Sequence, residues 1–219
     1  MILEKLSRHA DELTAIRHDL HKHPELLFEE VRTSAIVARE LSRLGYQVTT
    51  GLAGTGVVGT LTNGSSRKSI ALRADMDALP ITETTGLPYA SATPGKMHAC
   101  GHDGHTTTLL GAARYLAETR NFDGTVHLIF QPAEEDVSGA KRMIEEGLFR
   151  QFPCDAIFAF HNWPGAPLGQ VQLKPGTMMA AVEYQYGRRD NFSDGFHSTA
   201  NKIQFTFKFN FSKIFLQAE

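Results

Sequence analysis

Met97-His98-Ala99-Cys100-Gly101-His102-Asp103-Gly104-His105 gathers three histidines, a thiol and a carboxylate into nine residues, in a chain with only two cysteines. A cysteine and a histidine two positions apart, bounded by glycine, can aim a thiolate and an imidazole at one point. That is what a transition-metal ion requires. Acidic or imidazole groups also follow three separate strand-like runs. They are Asp75 and Asp77 in RADMDALP, Glu134-Glu135-Asp136 after TVHLIFQ, and His161 at the end of DAIFAFH. In parallel α/β sheets the carboxyl ends of the strands converge on one crevice. These groups are therefore expected to meet the Cys100/His102 loop, and metal-dependent enzymology is the first expectation.

Taken singly, most of these residues have a plainer reading. His161 alone would be a satisfied histidine at a strand end. Glu134, Glu135 and Asp136 alone would be solvated acids at a helix start, where the macrodipole favours them. Asp75 and Asp77 could be turn residues ahead of Pro80. The block from Cys100 to His105 resists such a reading, because a structural loop has no use for so many ligand-type side chains. A cysteine nucleophile paired with a histidine is a weaker option, since the loop brings neither an oxyanion hole nor an orienting partner. His9, His18, His21, His23 and His127 read as structural. His18, His21 and His23 cluster at a helix end, where cations are favoured.

The elements that must position this chemistry alternate along the chain. Apolar spacing predicts helices over residues 3–22, 29–44, 103–119 and 137–148, with Val31, Ala35, Ala38 and Leu41 facing the core in the second. Gly45 is the expected stop of that helix, and Gly147 interrupts the end of the last. Strands are predicted at 56–62, 69–74, 125–131, 155–161 and 169–174. This alternation argues for an α/β fold, a mostly parallel (mixed) sheet flanked by helices.

The chain has 219 residues, enough for one substantial domain. Its formal charge of −2, without any basic run, gives no case for nucleic acid or an anionic membrane. No apolar run is long enough to span a bilayer, and the charged N-terminus does not read as a secretory signal. Two cysteines are too few for a disulfide framework, so cytoplasmic residence is expected, with Cys154 a buried, inert thiol. From about Glu183 the pattern changes. Seven of the 14 phenylalanines fall in this tail, and IQFTFKFNF alternates as an edge strand would.

RHDLHKHPELLFEE, RADMDALPI, MHACGHDGHTTTLLGAA, IFQPAEE, AFHNWPG and KPGTMMA together resemble the hippurate hydrolase and N-acyl-amino-acid amidohydrolase group of co-catalytic metallopeptidases. The resemblance covers roughly residues 10–182. It implies that Cys100, His102, Glu135 and His161 are metal ligands, with Cys100 bridging two ions as the thiolate. It implies Glu134 as general base and Asp77 as the residue orienting a ligand or that base. Asp75 stands where related subfamilies place a histidine ligand. Zinc, manganese, nickel or cobalt would suit such donors, and the implied substrates are N-acyl amino acids. The group's GGHxAxP-type segment, inserted dimerisation domain and last histidine ligand have no counterpart in the sequence. The expected organisation is thus a partial metallohydrolase catalytic domain, 1–182, lacking its C-terminal part, followed by an atypical, frame-shifted or disordered tail, 183–219. The alternative expectation is a truncated, inactive fragment retaining at most partial metal binding, with its oligomeric state open.

Overall fold

Strands built on a two-residue period bury both faces here, and that period accounts for the two cores. The computed structural model describes residues 2–135, 138–165, 167, 171–173 and 180–182. Its contacts divide the chain into two units, Met1–Ala159 and Phe160–Glu219. In the first unit β1 (Gln47–Leu52), β2 (Gly56–Asn63), β3 (Ser69–Asp75), β4 (Gly124–Gln131) and β5 (Ala156–His161, up to Ala159) form a sheet in the order β1-β2-β4-β3-β5. β3 pairs in parallel with β4 and β5, whereas β2 is antiparallel to both β1 and β4. The sheet is therefore mixed, as expected. Its antiparallel part comes from the β1–β2 hairpin, whose tight connection passes through Ala53 and Gly54 in left-handed conformations.

Val57, Leu61, Ala74, Val126, Leu128 and Phe130 face one core, which they share with Val37 and Leu41 of α3 (Val31–Arg43) and Leu109, Leu110 and Ala113 of α4 (His102–Thr119). Val58, Ala71 and Ile129, one position out of phase, face the other, with Met143 of α5 (Gly139–Glu145) and Leu148 of α6 (Leu148–Gln151). Alternation along a strand sends neighbouring side chains to opposite faces. Each fully buried large apolar side chain contributes about 1.5–3 kcal/mol by leaving water. The hydroxyl of Tyr46, inside the first core, donates to the Ala113 carbonyl at 3.0 Å and joins the β1 approach to α4.

Three expectations change. Residues 3–22 form two helices, α1 (Ile2–Ser7) and α2 (Ala10–Lys22), divided at His9. α3 buries Thr33, Ile36, Val37, Glu40 and Leu41, and Val31 is 67% exposed. Ile36, Val37 and Leu41 carry more apolar bulk than Val31 and Ala35, so that face wins the core. β1 was not expected at all. The stop at Gly45 holds, with φ +81° just past the helix, and Gly147 separates α5 from α6 at φ +95°.

In the second unit, Phe160 and His161 at the end of β5 pair in parallel with β7 (Ala180–Val182). β7 in turn pairs antiparallel with β6 (Val171–Leu173). The tail beyond residue 182, including its expected edge strand, lies outside the described residues. None of the described helices is long and apolar enough to cross a membrane.

Candidate functional site

β3 and β4 are parallel neighbours, so their carboxyl ends lie side by side. Asp75 ends β3 and Asp77 follows it, while Gln131 ends β4 and the turn through Glu134 and Glu135 follows that. Across this end lies the start of α4. Gly101 takes a left-handed conformation (φ +91°) that glycine adopts without penalty, which turns the chain from Cys100 directly into the helix at His102. The thiol of Cys100, the imidazole of His102 and the carboxylate of Glu135 then offer ligand atoms that all lie within 4.8 Å of one another.

Asp77 organises this group from beneath. Its two oxygens accept the backbone N–H groups of Glu134 at 2.9 Å and Glu135 at 3.0 Å. Its Oδ1 also lies 3.3 Å from His102 Nδ1. A histidine whose Nδ1 proton is held by a carboxylate presents Nε2 as a ligand. His102 Nε2 accordingly points toward acids, 3.7 Å from both Asp75 Oδ2 and Glu135 Oε1. Asp75 ends β3, Asp77 lies outside any turn and both are buried, so the reading of turn residues ahead of Pro80 falls. Glu134 and Glu135 sit in a turn, not at a helix start, since α5 begins only at Gly139.

Behind the thiol–imidazole group, Asp75 accepts from Arg73 Nη1 at 2.7 Å and lies 2.6 Å from His105 Nδ1. Arg73 also donates to Gln131, tying the ends of β3 and β4 together. Burial opposes ionisation of Asp75, but His102, Arg73 and His105 outweigh it and hold the carboxyl well below its usual range. Burial likewise opposes charge on His102, yet Asp75 and Asp77 lift its pKa well above the ordinary histidine value. For Cys100 burial raises the thiol, with His102 pulling the other way. Surrounding protein pushes the Glu134 carboxyl up, and the charge of Asp75 adds to that, although the side chain keeps access to solvent. A carboxylate shifted in this way binds a proton more readily than a free one.

His161 is the last residue of β5 and belongs to the second unit. Its Nδ1 lies 2.7 Å from the carbonyl oxygen of Asn162. A proton held on Nδ1 leaves the lone pair on Nε2, the tautomer that ligates metals.

The histidines expected to be structural do take structural roles. His21 is buried between Asp103 (3.0 Å) and Glu83 (3.2 Å), His18 stacks on Tyr89, and His127 bonds Thr60. Cys154 is only partly buried, beside the second core. That partial exposure corrects the expectation of a buried thiol. Two contacts escaped the sequence reading, although His105 belongs to the block singled out there. His105 is engaged by Asp75 across a sequence gap of 30 residues, and Glu30 reaches the turn before Glu134 across a gap of 103.

Thiol, imidazole and carboxylate donors together suit a borderline divalent ion such as zinc. The acids around His102, with Arg73 as the one guanidinium hydrogen-bonded to Asp75 among the described residues, fit a cation. A helix-flanked sheet bearing such donors at its strand ends is the architecture of an α/β metallohydrolase. The chain belongs to Peptidase family M20/M25/M40, whose profile matches residues 71–213 and so runs past residue 182, where the recognisable motifs end. It is 54% identical over 172 residues to the hippurate hydrolase of Campylobacter jejuni, a match spanning 78% of this chain and 45% of that protein. It is 47% identical to the N-acetyl-L-cysteine deacetylase of Bacillus subtilis, over 81% of this chain and 42% of the relative. Among solved structures, the Bacillus subtilis YXEP protein, described as a dinuclear metal binding peptidase from the M20 family, superposes with a TM-score of 0.74. That match is 42% identical and covers 78% of this chain and 48% of the other. The chain thus spans a little under half the length of these relatives.

Proposed function

We propose that this site serves a metal-dependent amidohydrolase that cleaves N-acyl amino acids, hippurate and N-acetylcysteine among them. The observation that carries the reading is the convergence of Cys100, His102 and Glu135 within 4.8 Å, with Asp77 holding both His102 and the Glu134–Glu135 backbone. Cys100, His102 and Glu135 would hold the ion from the first unit, Cys100 as a thiolate. The assignment of His161 as a further ligand rests on the sequence resemblance and on its tautomer. Zinc, manganese, nickel or cobalt satisfies this donor set. Cys100 and Cys154 are not joined in a disulfide, which suits a reducing compartment such as the cytoplasm.

A divalent ion held here supplies Lewis acidity, acidifying water and polarising the scissile amide carbonyl. Glu134 takes the proton of the attacking water and returns it to the leaving amine nitrogen. Asp77 fixes the imidazole of His102 and the peptide units of both glutamates, so that Glu134 and Glu135 diverge into their separate roles.

Metal analysis of the purified chain, combined with hydrolysis assays on hippurate and N-acetylcysteine, tests the reading. Bound divalent metal and turnover that is lost in Cys100→Ser and Glu134→Gln are expected. Activity that survives exhaustive chelation refutes the metal mechanism. Metal bound without turnover would support the second reading, a fragment that retains partial metal binding.

A further inference from the structure

The turn that carries Glu134 and Glu135 is bent at a residue that resists bending. Ala133 has φ +48°, a left-handed conformation that a residue with a Cβ adopts only at a cost. Something must over-determine it. Its carbonyl accepts from Gly139 N–H at 3.1 Å, and its own N–H donates to Glu30 Oε1 at 2.9 Å. Glu30 has no solvent exposure, and its other oxygen accepts from the Thr55 hydroxyl at 2.7 Å. Although Glu30 stands at the start of α3, its side chain does not cap that helix. It turns inward instead. Three successive amides, those of Ala133, Glu134 and Glu135, are therefore held by two buried carboxylates, Glu30 and Asp77.

We infer that Glu30 is a positioning residue for the metal site, locking Ala133 in its left-handed conformation so that Glu134 and Glu135 project toward Cys100 and His102. Burial raises the Glu30 carboxyl above its ordinary value, and the charge of Asp77 adds to that, so retaining an acid here is costly to the fold. A Gln in its place would keep both hydrogen bonds without the charge, accepting from Ala133 with its oxygen and donating to Thr55 with its nitrogen. A hydrophobe would keep neither.

The inference rests on the metal reading, so its test has one arm that needs no metal. Glu30→Gln, Glu30→Leu and Thr55→Val are made in the full chain. Amide exchange of the segment 131–135 is followed by mass spectrometry in the metal-free protein, and cobalt is titrated through its thiolate charge-transfer absorption. Glu30→Leu should quicken exchange of that segment roughly tenfold by removing one charge-assisted bond. It should also weaken cobalt binding about 10–100-fold while retaining the Cys100 thiolate band. Glu30→Gln should rescue both to within about threefold. If Glu30→Leu does not fold, Thr55→Val, which frees one oxygen of Glu30, should shift both readouts in the same direction by about threefold to fivefold. Unchanged exchange of the segment, or a global loss of protection with unchanged cobalt affinity, overturns the inference. A wild-type chain that binds no cobalt sinks the metal reading, and the exchange arm then decides the role of Glu30 by itself.

Discussion

Asp77→Asn is the sharpest probe of how the site is held. The substitution preserves shape but replaces one acceptor oxygen with an NH2 group, while two backbone donors at 2.9 and 3.0 Å and His102 Nδ1 at 3.3 Å still face it. At least one charge-assisted hydrogen bond is lost, worth about 1.5–3 kcal/mol. The carboxylate behind a metal-ligating histidine is also worth about 10–100-fold in metal affinity, or about 1.4–2.7 kcal/mol. Urea unfolding of the metal-free chain should therefore show a loss of about 2 kcal/mol, and cobalt titration a separate loss of one to two orders of magnitude. pH supplies a further check. Burial alone would raise the Asp77 carboxyl, but His102 and the two amides outweigh it and hold the pKa below the ordinary 3.8. A carboxyl whose folded pKa is depressed contributes stability that is present above the unfolded pKa and lost as pH falls through the folded one. The gap between wild type and Asp77→Asn should thus be full above about pH 5 and shrink in more acid solution. An Asp77→Asn chain with wild-type stability and wild-type cobalt affinity would refute the reasoning.

Gly139 faces the turn so closely that a Cβ would lie 1.6 Å from the Pro132 carbonyl oxygen. Gly139→Ala should therefore cost about 2 kcal/mol or more in urea unfolding, and a neutral effect would show that the turn yields easily. Leu128 is fully buried in the first core, and Leu128→Ala should cost about 2–5 kcal/mol, with a melting curve as the check. His21 is opposed by burial, but Asp103 and Glu83 raise its pKa above 6.5. That raised value means its pairing stabilises fully below pH 6.5 and is lost as pH rises through the folded pKa. The stability difference between wild type and His21→Asn should accordingly narrow from pH 6 to pH 9, and a difference that widens would contradict the pairing.

Much of the frame was legible in local pattern. β2 and β4 announce themselves as short apolar runs, because strands buried on both faces leave little room for polar residues, and the less buried β3 and β5 carry similar runs. α4 is legible from the spacing of Leu109, Ala113 and Leu116. β1 was missed because Gln47–Leu52 is a half-exposed edge strand whose residues show no clean alternation. The face assigned to α3 was right at Ala38 and Leu41 but not at Val31 and Ala35, which fit a helical spacing equally well and are excluded only by the competition for core volume.

The chemistry divides in the same way. Cys100 and His102 declare themselves by type and spacing alone, since both lie in one glycine-bounded loop whose geometry is local. Their partners do not. Glu30 falls at the start of the helix expected over 29–44, and nothing local to it specifies a bond to an amide 103 residues away. Asp77 gains its place only because the parallel pairing of β3 with β4 sets the residues after Asp75 beside those after Gln131. The sequence by itself determined which residues carry reactive atoms and which family they belong to. The tertiary structure decided which carboxylates are buried, which amides they hold and therefore which way Glu134 and Glu135 point, because desolvation and long-range hydrogen bonding exist only once the sheet is assembled.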